Sequence, residues 1–410
     1  MQLPARNTLA VVGAGPIGLE AAAAALDHGL DVHLFEQGEV GSHPLGWGHV
    51  RMFTPWRMNL GPHSRTHLEA AGWTAPDLDA CPTGAELVGR YLEPLAKLAE
   101  LKDRIHTHSQ VVSIGRHGLL KDDLIGSLER AERPFRLLVR DQGGRENYIH
   151  AFAVMDASGV YATPNWAGTG GIPARSEIYL RPQLSYHLDD VLGPRREVYA
   201  GHRTMVIGGG PTAATTVAAL AKLADEVPGT AVAWVTHTPA ASLYAAKDDP
   251  LPERRALYEK ARGFLAGAHP AVTHVGGAEV EGFEFNSATH RYRVQLAVGD
   301  QPRVEEVDLV IVNTGYGADD SLYRELQVHE CFATRAPMKL ATALLGAAAG
   351  DCLTTPVFGA DVLANPEPRF YVLGHKSYGR NPDFLLETGY RQVEDVVSLL
   401  AKESRARVPA

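Results

Sequence analysis

The feature that most constrains this chain is a glycine-rich turn that occurs twice in the same setting. Thr8 to Val12 is a short apolar run, Gly13-Ala14-Gly15-Pro16-Ile17-Gly18 follows, an Ala-rich stretch continues to about Leu26, and Asp31 to Phe35 leads into Glu36. Further on, Thr204 to Ile207 leads into Gly208-Gly209-Gly210-Pro211-Thr212-Ala213, an Ala/Leu-rich stretch to about Leu223, and a second apolar run from Ala231 to Val235. Hydrophobic periodicity switches from strand-like to helix-like across each turn, which predicts strand, turn, helix, strand. In such a turn the first glycine permits the sharp bend, the second lets a pyrophosphate approach the backbone, and the third lets helix and strand pack closely. The start of the helix then offers unpaired N–H groups and partial positive charge to the phosphates.

The two turns differ where the second strand ends. Glu36 is placed to accept hydrogen bonds from both hydroxyls of a ribose, and Gln37 follows it. The second unit ends in Val235-Thr236-His237 with no carboxylate. A carboxylate there would repel a 2′-phosphate, so its absence favours NADP over NAD. Lys247, Arg254 and Arg255 lie further along and offer positive charge for that phosphate.

Each unit is followed by a strand-rich insertion. Phe135 to Val139 and Asn147 to Val154 flank a Gln142-Gly143-Gly144 turn, and Gly282 to Phe285 and Tyr292 to Leu296 flank Asn286 to Thr289. Both insertions return through a buried strand ending in small residues, Asp156-Ala157-Ser158-Gly159 and Asn313-Thr314-Gly315. The expected fold is α/β, with two Rossmann-like dinucleotide-binding domains, each carrying an inserted β-hairpin or meander, the second domain inserted into the first. The boundaries are 1–165 and 319–410 for the split first domain, 166–200 for a linker, and 201–318 for the second domain. Gly84 to Leu101 reads as one amphipathic helix, and His106 and His108 as facing the same way along a strand. The long aperiodic stretch from Gly38 to Pro82 reads as functional rather than connecting.

Composition excludes several alternatives. With 39 basic against 48 acidic residues and no basic stripe, nucleic-acid binding is not expected. No apolar stretch reaches the ~18 residues of a membrane span, and the apolar start lacks the basic flank of a signal peptide. Cys81, Cys331 and Cys352 are far apart, with no Cys-x-x-Cys and no Cys/His cluster, so neither a structural zinc site nor a dithiol centre is expected. A reducing, cytoplasmic setting fits.

The chain resembles the two-dinucleotide flavoproteins, and within them the class B flavin monooxygenases: flavin-containing, Baeyer–Villiger and N-hydroxylating enzymes. The resemblance rests on the VVGAGPIG turn with Glu36, the VIGGGPTA turn, the ends Asp156-Ala-Ser-Gly159 and Asn313-Thr-Gly-Tyr316, and the stretch from Phe370 to Gly374-His375 followed by Pro382 to Gly389. It implies FAD on the first unit, NADPH on the second, and a flavin that holds oxygen as a 4a-hydroperoxide. By resemblance, FAD contacts fall on Gly13, Gly15, Pro16, Ile17, Gly18, Glu36, Gln37, Val111, Ala157, Gly159, Gly374, His375, Phe384 and Leu385; Trp47 and Arg51 are further cofactor contacts, with pyrophosphate, nicotinamide or an anionic substrate as the partners open to Arg51. NADPH contacts fall on Gly208, Gly210, Pro211, Thr212, Ala213, Thr236, His237, Gly315 and Tyr316. Two departures stand out: the FxGxxxHxxxY fingerprint between the units is absent, and His375 stands where many flavoproteins have Asp.

Monooxygenation requires a donor that steadies the peroxide and a dry pocket rather than a protein nucleophile. The run from Trp47 to Asn59 is similar to the family stretch ending in a catalytic Asn, which makes Asn59 the candidate donor; the alternative is a turn-forming Asn. Trp56, Arg57, Tyr378, Arg380 and Asn381 are candidate substrate contacts. The start of the last helix is expected to face the pyrimidine edge of the flavin. The implied activity is oxygenation of a nitrogen or sulfur atom on a small soluble substrate by dioxygen. An NAD(P)H-dependent flavin reductase or oxidase, or a redox sensor without turnover, are the alternatives.

Overall fold

The structure, a computed structural model, describes residues 7–244, 249–346 and 358–406 together with Ala5 and Leu353. The chain folds into two compact units, one comprising Met1–Gly48, Thr54–Thr163 and Gly317–Ala410, the other His49–Phe53 and Pro164–Tyr316.

The first unit is built on a five-stranded parallel sheet. Its strands are β1 (Thr8–Val12), β2 (Asp31–Phe35), β3 (Ile105–His106), β7 (Ala153–Asp156) and β15 (Phe370–Val372), in the order β15-β7-β1-β2-β3. The order reverses direction at β1, so a crevice opens beyond the carboxyl ends of β1 and β7, where α/β sheets bind ligands. Helix Pro16–Asp27 crosses back from β1 to β2. Ala21 to Ala25 are all fully buried, because only small side chains let this helix pack so closely. It packs against helix Leu386–Ala406, and a Cβ on Gly389 would lie 2.4 Å from Ile17.

An antiparallel meander of β4 (Ser109–Arg116), β5 (Phe135–Asp141) and β6 (Glu146–Ala151) is inserted before β7. The single run expected from Asn147 to Val154 is therefore two strands in two sheets, divided at Phe152, whose N–H turns to Thr8. Beneath the meander Glu367 is fully buried. Its carboxylate takes Arg116 Nε at 2.7 Å, Arg130 Nε at 3.0 Å and the Gln327 N–H at 2.8 Å. Burial lowers the Arg116 pKa to about 10 despite this partner.

The second unit repeats the plan. β8 (Arg203–Ile207), β9 (Ala231–Thr236), β10 (Val272–Gly276) and β14 (Leu309–Val312) form a parallel sheet in the order β10-β9-β8-β14. Its meander is β11 (Ala278–Asn286), β12 (Arg291–Val298) and β13 (Gln301–Val307). The expected α/β fold with duplicated dinucleotide-binding units and inserted meanders is present.

Three expectations are corrected. Residues 166–200 are not a linker but part of the second unit. The fully buried carboxylate of Glu177 accepts the Ala167 N–H at 2.7 Å, the Ala174 N–H at 2.8 Å and the Tyr186 hydroxyl at 2.8 Å, which folds this stretch into the core. The helix after Thr83 is interrupted by a π turn at Val88–Leu92 before it resumes at Glu93. Pro94 has no N–H to return to the Arg90 carbonyl, which instead accepts Trp73 Nε1 at 2.9 Å. His106 and His108 do not share a strand face. His108 has φ 51° in a turn and reaches Glu39, while His106 stacks on His33 and Phe35.

Candidate functional site

In the first unit the glycine turn has the geometry its sequence implies. Gly13 has φ 100°, and a Cβ there would lie 2.8 Å from the Ala157 carbonyl oxygen. A Cβ on Gly18 would overlap the Gly13 oxygen at 1.8 Å. On Gly15 it would meet no atom of the described residues within 4 Å. The first and third glycines are thus required by the protein itself, whereas the second leaves open the approach that a phosphate needs. Pro16 opens the helix, and no side chain caps its first turn.

Glu36 follows β2 and is 8% exposed. Its oxygens accept the Ala14 N–H and the Gly38 N–H, each at 2.8 Å. A carboxylate oxygen accepts more than one hydrogen bond, so each retains capacity for a ribose hydroxyl. His43 sits close to Glu36, yet burial outweighs the carboxylate and lowers its pKa, leaving a neutral imidazole. Gln37 is exposed on the same turn. Val111 is packed into the core beneath the meander at an irregularity of β4.

The carboxyl ends of β7 and β15 carry a charge pair that sequence reasoning missed. Lys376, 2% exposed, donates to Asp156 Oδ2 at 2.6 Å and to Ser158 Oγ at 3.1 Å. Asp156 Oδ1 accepts both the N–H and the hydroxyl of Ser158. A lysine shortly past an apolar strand was the available signal. Gly374 has φ 70°, and its N–H donates to Gln392 on the last helix at 2.9 Å, so that helix holds this turn in shape. His375 stacks on Phe384 with an interplanar angle of 7°, and burial lowers its pKa. Leu385 closes the first turn of the helix by accepting the Thr388 and Gly389 N–H groups.

The candidate substrate residues have the following settings. Trp56 is 2% exposed in the core. Arg57 pairs with Asp79 at the surface. Tyr378 is buried against Phe384, and burial pushes its pKa up to about 12. Asn381 accepts the Asp383 N–H within its own turn, and Arg380 is exposed. Trp47 packs across Gly84, and Arg51 belongs to the segment grouped with the second unit. Asn59 is 1% exposed and forms a turn: its amide donates to the Thr54 carbonyl at 2.8 Å and to the Pro55 carbonyl at 3.0 Å, while its oxygen accepts the Thr54 hydroxyl. Both amide donors are used inside the turn, which favours the turn-forming role over holding a peroxide. Asn59→Ala is therefore expected to lower stability by about 1–3 kcal/mol in urea unfolding.

The second unit repeats the cradle. The Gly13 N–H donates to the Phe35 carbonyl in the first turn and the Gly208 N–H to the Val235 carbonyl in the second, so Thr236 occupies the place of Glu36. A Cβ on Gly208 (φ 139°) would lie 2.2 Å from the Asn313 carbonyl oxygen, whereas on Gly210 it would meet no atom of the described residues within 4 Å. Ala213 is fully buried in the third position, and Pro211 and Thr212 open an uncapped helix. Thr236 donates to the Thr238 carbonyl and meets His274 Nε2 at 2.9 Å. His237 is exposed beside it. Asn313 Nδ2, buried at the mouth of this turn, has no hydrogen-bond partner among the described residues and suits a bound polar group. Arg254 and Arg255 both engage Asp249, and Lys247 lies outside the described residues. Gly315 has φ 86°, and Tyr316 stacks on His187. The residues present in both cradles fit dinucleotides.

Among the described residues no helix is long and apolar enough to cross a membrane. Residues 8–40 match the pyridine nucleotide-disulphide oxidoreductase family. No curated protein matches in sequence. Solved structures with a similar fold include the bacillithiol disulfide reductase Bdr from Bacillus cereus, with TM-score 0.68, 17% identity and coverage of 97% of this chain and 99% of that one. The ornithine N-hydroxylase of Kutzneria sp. 744 matches with TM-score 0.64 and 18% identity over 98% of this chain and 100% of that one. The thioredoxin reductase of T. acidophilum matches with TM-score 0.58 and 15% identity over 97% and 99%.

Proposed function

We propose that this chain, which has the two-unit fold of flavin- and pyridine nucleotide-dependent oxidoreductases, is an FAD- and NADPH-dependent enzyme that uses dioxygen to oxygenate a nitrogen or sulfur atom of a small soluble substrate. The observation that carries the cofactor part is the repeated cradle: in each turn the first glycine is locked by a neighbouring carbonyl, and the second meets no other described residue. Bound FAD supplies the electron transfer and oxygen chemistry that no side chain performs. The chain supplies binding and orientation. The Gly15 backbone and the uncapped helix Pro16–Asp27 receive the pyrophosphate, Glu36 receives the adenosine ribose, and Gln392 keeps the Gly374 turn open. In the second unit the Gly210 backbone and Asn313 receive the nucleotide, and the neutral Thr236 tolerates a 2′-phosphate.

The oxygenase reading is supported by the cysteine distribution. Thiol–disulfide exchange through a protein dithiol needs a close pair of cysteines. The three in this sequence, Cys81, Cys331 and Cys352, are far apart along the chain and form no Cys-x-x-Cys. The occupied amide of Asn59 favours the second reading, an NADPH oxidase or flavin reductase with no oxygenated product. One experiment separates the readings. The purified protein is expected to show a flavin spectrum that bleaches anaerobically with NADPH. On readmitting oxygen with candidate amines and sulfides, peroxide well below the NADPH consumed supports oxygenation, and equal amounts support the oxidase. Bound flavin that NADPH fails to bleach would leave a redox sensor.

Nucleotide preference gives a further test. Thr236→Glu restores the carboxylate found at the equivalent position of the first turn, so repulsion of the 2′-phosphate is expected to shift the NADPH:NADH ratio of kcat/KM toward NADH by about 10-fold or more. An unchanged ratio would mean that the nucleotide ribose does not lie at Thr236.

A further inference from the structure

Away from both cradles, titratable side chains gather where three helices of the first unit meet. His28 stands at the end of helix Pro16–Asp27, His63 in the first turn of helix Pro62–Ala70, and Glu394 on helix Leu386–Ala406. One ligand atom from each lies within 4.8 Å of the others. His63 Nε2 is 2.7 Å from Glu394 Oε2, and His28 Nε2 is 3.7 Å from the same oxygen. The other nitrogen of His63, Nδ1, is 2.6 Å from Asp27 Oδ2. The second oxygen of Asp27 is 3.0 Å from His67 Nε2, and His67 Nδ1 is 3.2 Å from Glu100.

A carboxylate on Nδ1 places the ring proton there and presents Nε2 as a lone pair, the arrangement by which metal-binding histidines are oriented. Two imidazoles and one carboxylate form a donor set suited to zinc, with the fourth position left to water. Tetrahedral zinc with bonds of roughly 2.0–2.1 Å separates neighbouring ligand atoms by about 3.3 Å, a value bracketed by the 2.7 Å and 3.7 Å found at Glu394. The side chains of His28, His63 and Glu394 are 26%, 20% and 45% exposed, so an ion can enter from solvent. An imidazolium held between Asp27 and Glu394 would account for His63 alone. His28, the third donor, converges on the same Glu394 oxygen from 3.7 Å.

We propose that His28, His63 and Glu394 form a zinc site, with Asp27 as the positioning residue of His63. The ion ties the end of the helix that follows the first glycine turn to the last helix of the chain, and so braces the first cradle from behind.

The test uses untagged, full-length, chelator-treated protein titrated with zinc chloride in a calorimeter at neutral pH, with thermal unfolding followed in parallel. One equivalent of zinc is expected to bind and to raise the unfolding midpoint. Glu394→Gln and His28→Gln are expected to lose this binding, and Asp27→Asn to weaken it by about 10–100-fold. Far-UV circular dichroism establishes that each variant is folded, and His28, at a helix end, is the replacement least disturbing to packing. No zinc uptake by the parent protein, or equal uptake by the parent and both ligand variants, overturns the proposal and leaves His63 as a proton-mediated clamp.

Discussion

Gly15→Ala is expected to give a folded protein that retains little flavin, whereas Gly18→Ala is expected to disrupt the turn itself. The contrast follows from where each new methyl group would sit. At Gly15 no atom of the other described residues lies within 4 Å, so stability should change by no more than about 0.5 kcal/mol. The same methyl group occupies the point where a pyrophosphate reaches the backbone, and flavin affinity should fall about 10-fold or more, equivalent to ~1.4 kcal/mol. At Gly18 the methyl group overlaps the Gly13 carbonyl at 1.8 Å, and helix and strand must separate to relieve it. Overpacking of this kind costs about 1–3 kcal/mol, and the cradle is lost with it. The flavin-to-protein absorbance ratio and urea unfolding of the two variants read both effects. A Gly15→Ala protein that purifies with a full complement of flavin would show that the cofactor does not approach at this turn. Gly210→Ala supplies the internal control, because it should retain flavin and raise the KM for NADPH.

Glu367→Leu is expected to destabilise the first unit by about 3–5 kcal/mol, because it leaves two guanidinium groups buried without their shared counter-charge. Arg116 and Arg130 are at most 4% exposed, and Arg369 lies in the same region, its Nε paired with Glu403 at 2.9 Å. The Glu367 carboxylate also accepts the Gln327 N–H, so the variant orphans a backbone donor as well. Replacing Arg116 and Arg130 by Met in the same background is expected to recover much of the loss, since an apolar set of similar volume needs no counter-charge. Denaturant midpoints of the single and triple variants test this. A Glu367→Leu protein as stable as the parent would mean that water reaches the guanidinium groups.

The parts of the molecule that were legible in sequence are those whose physics is local. The glycine turns, the Glu36 and Thr236 positions, and the strand-helix-strand units are each specified within about thirty residues by periodicity and backbone demands. Features decided by distant partners were not legible. Lys376 and Asp156 are 220 positions apart in the chain, and neither charge announces that it will be buried against the other. Nothing adjacent to Glu177 in sequence signals that three donors converge on it. The third strand of the second meander, Gln301–Val307, lies at a sheet edge with most residues exposed, so its sequence lacks the alternation that marks a half-buried strand. Asn59 shows the opposite limit. A family-like spacing suggested chemistry, but the hydrogen bonds within its own turn consume the donors on which that chemistry would depend.

The insertion of one unit within the other also sets a timetable for synthesis. Residues 164–316 form a continuous segment that holds nearly all of the second unit, including all four strands of its parallel sheet. The first unit gains β15 and helix Leu386–Ala406 only in the last tenth of the chain, yet β15 pairs with β7 and the helix covers Pro16–Asp27. Domains fold as units as the chain emerges from the ribosome, ordinarily with the N-terminal one first. Here the order is inverted: the middle of the polypeptide can mature while its beginning waits for its end. The exposed back of the first glycine-turn helix is therefore the surface that the nascent chain must keep from aggregating longest.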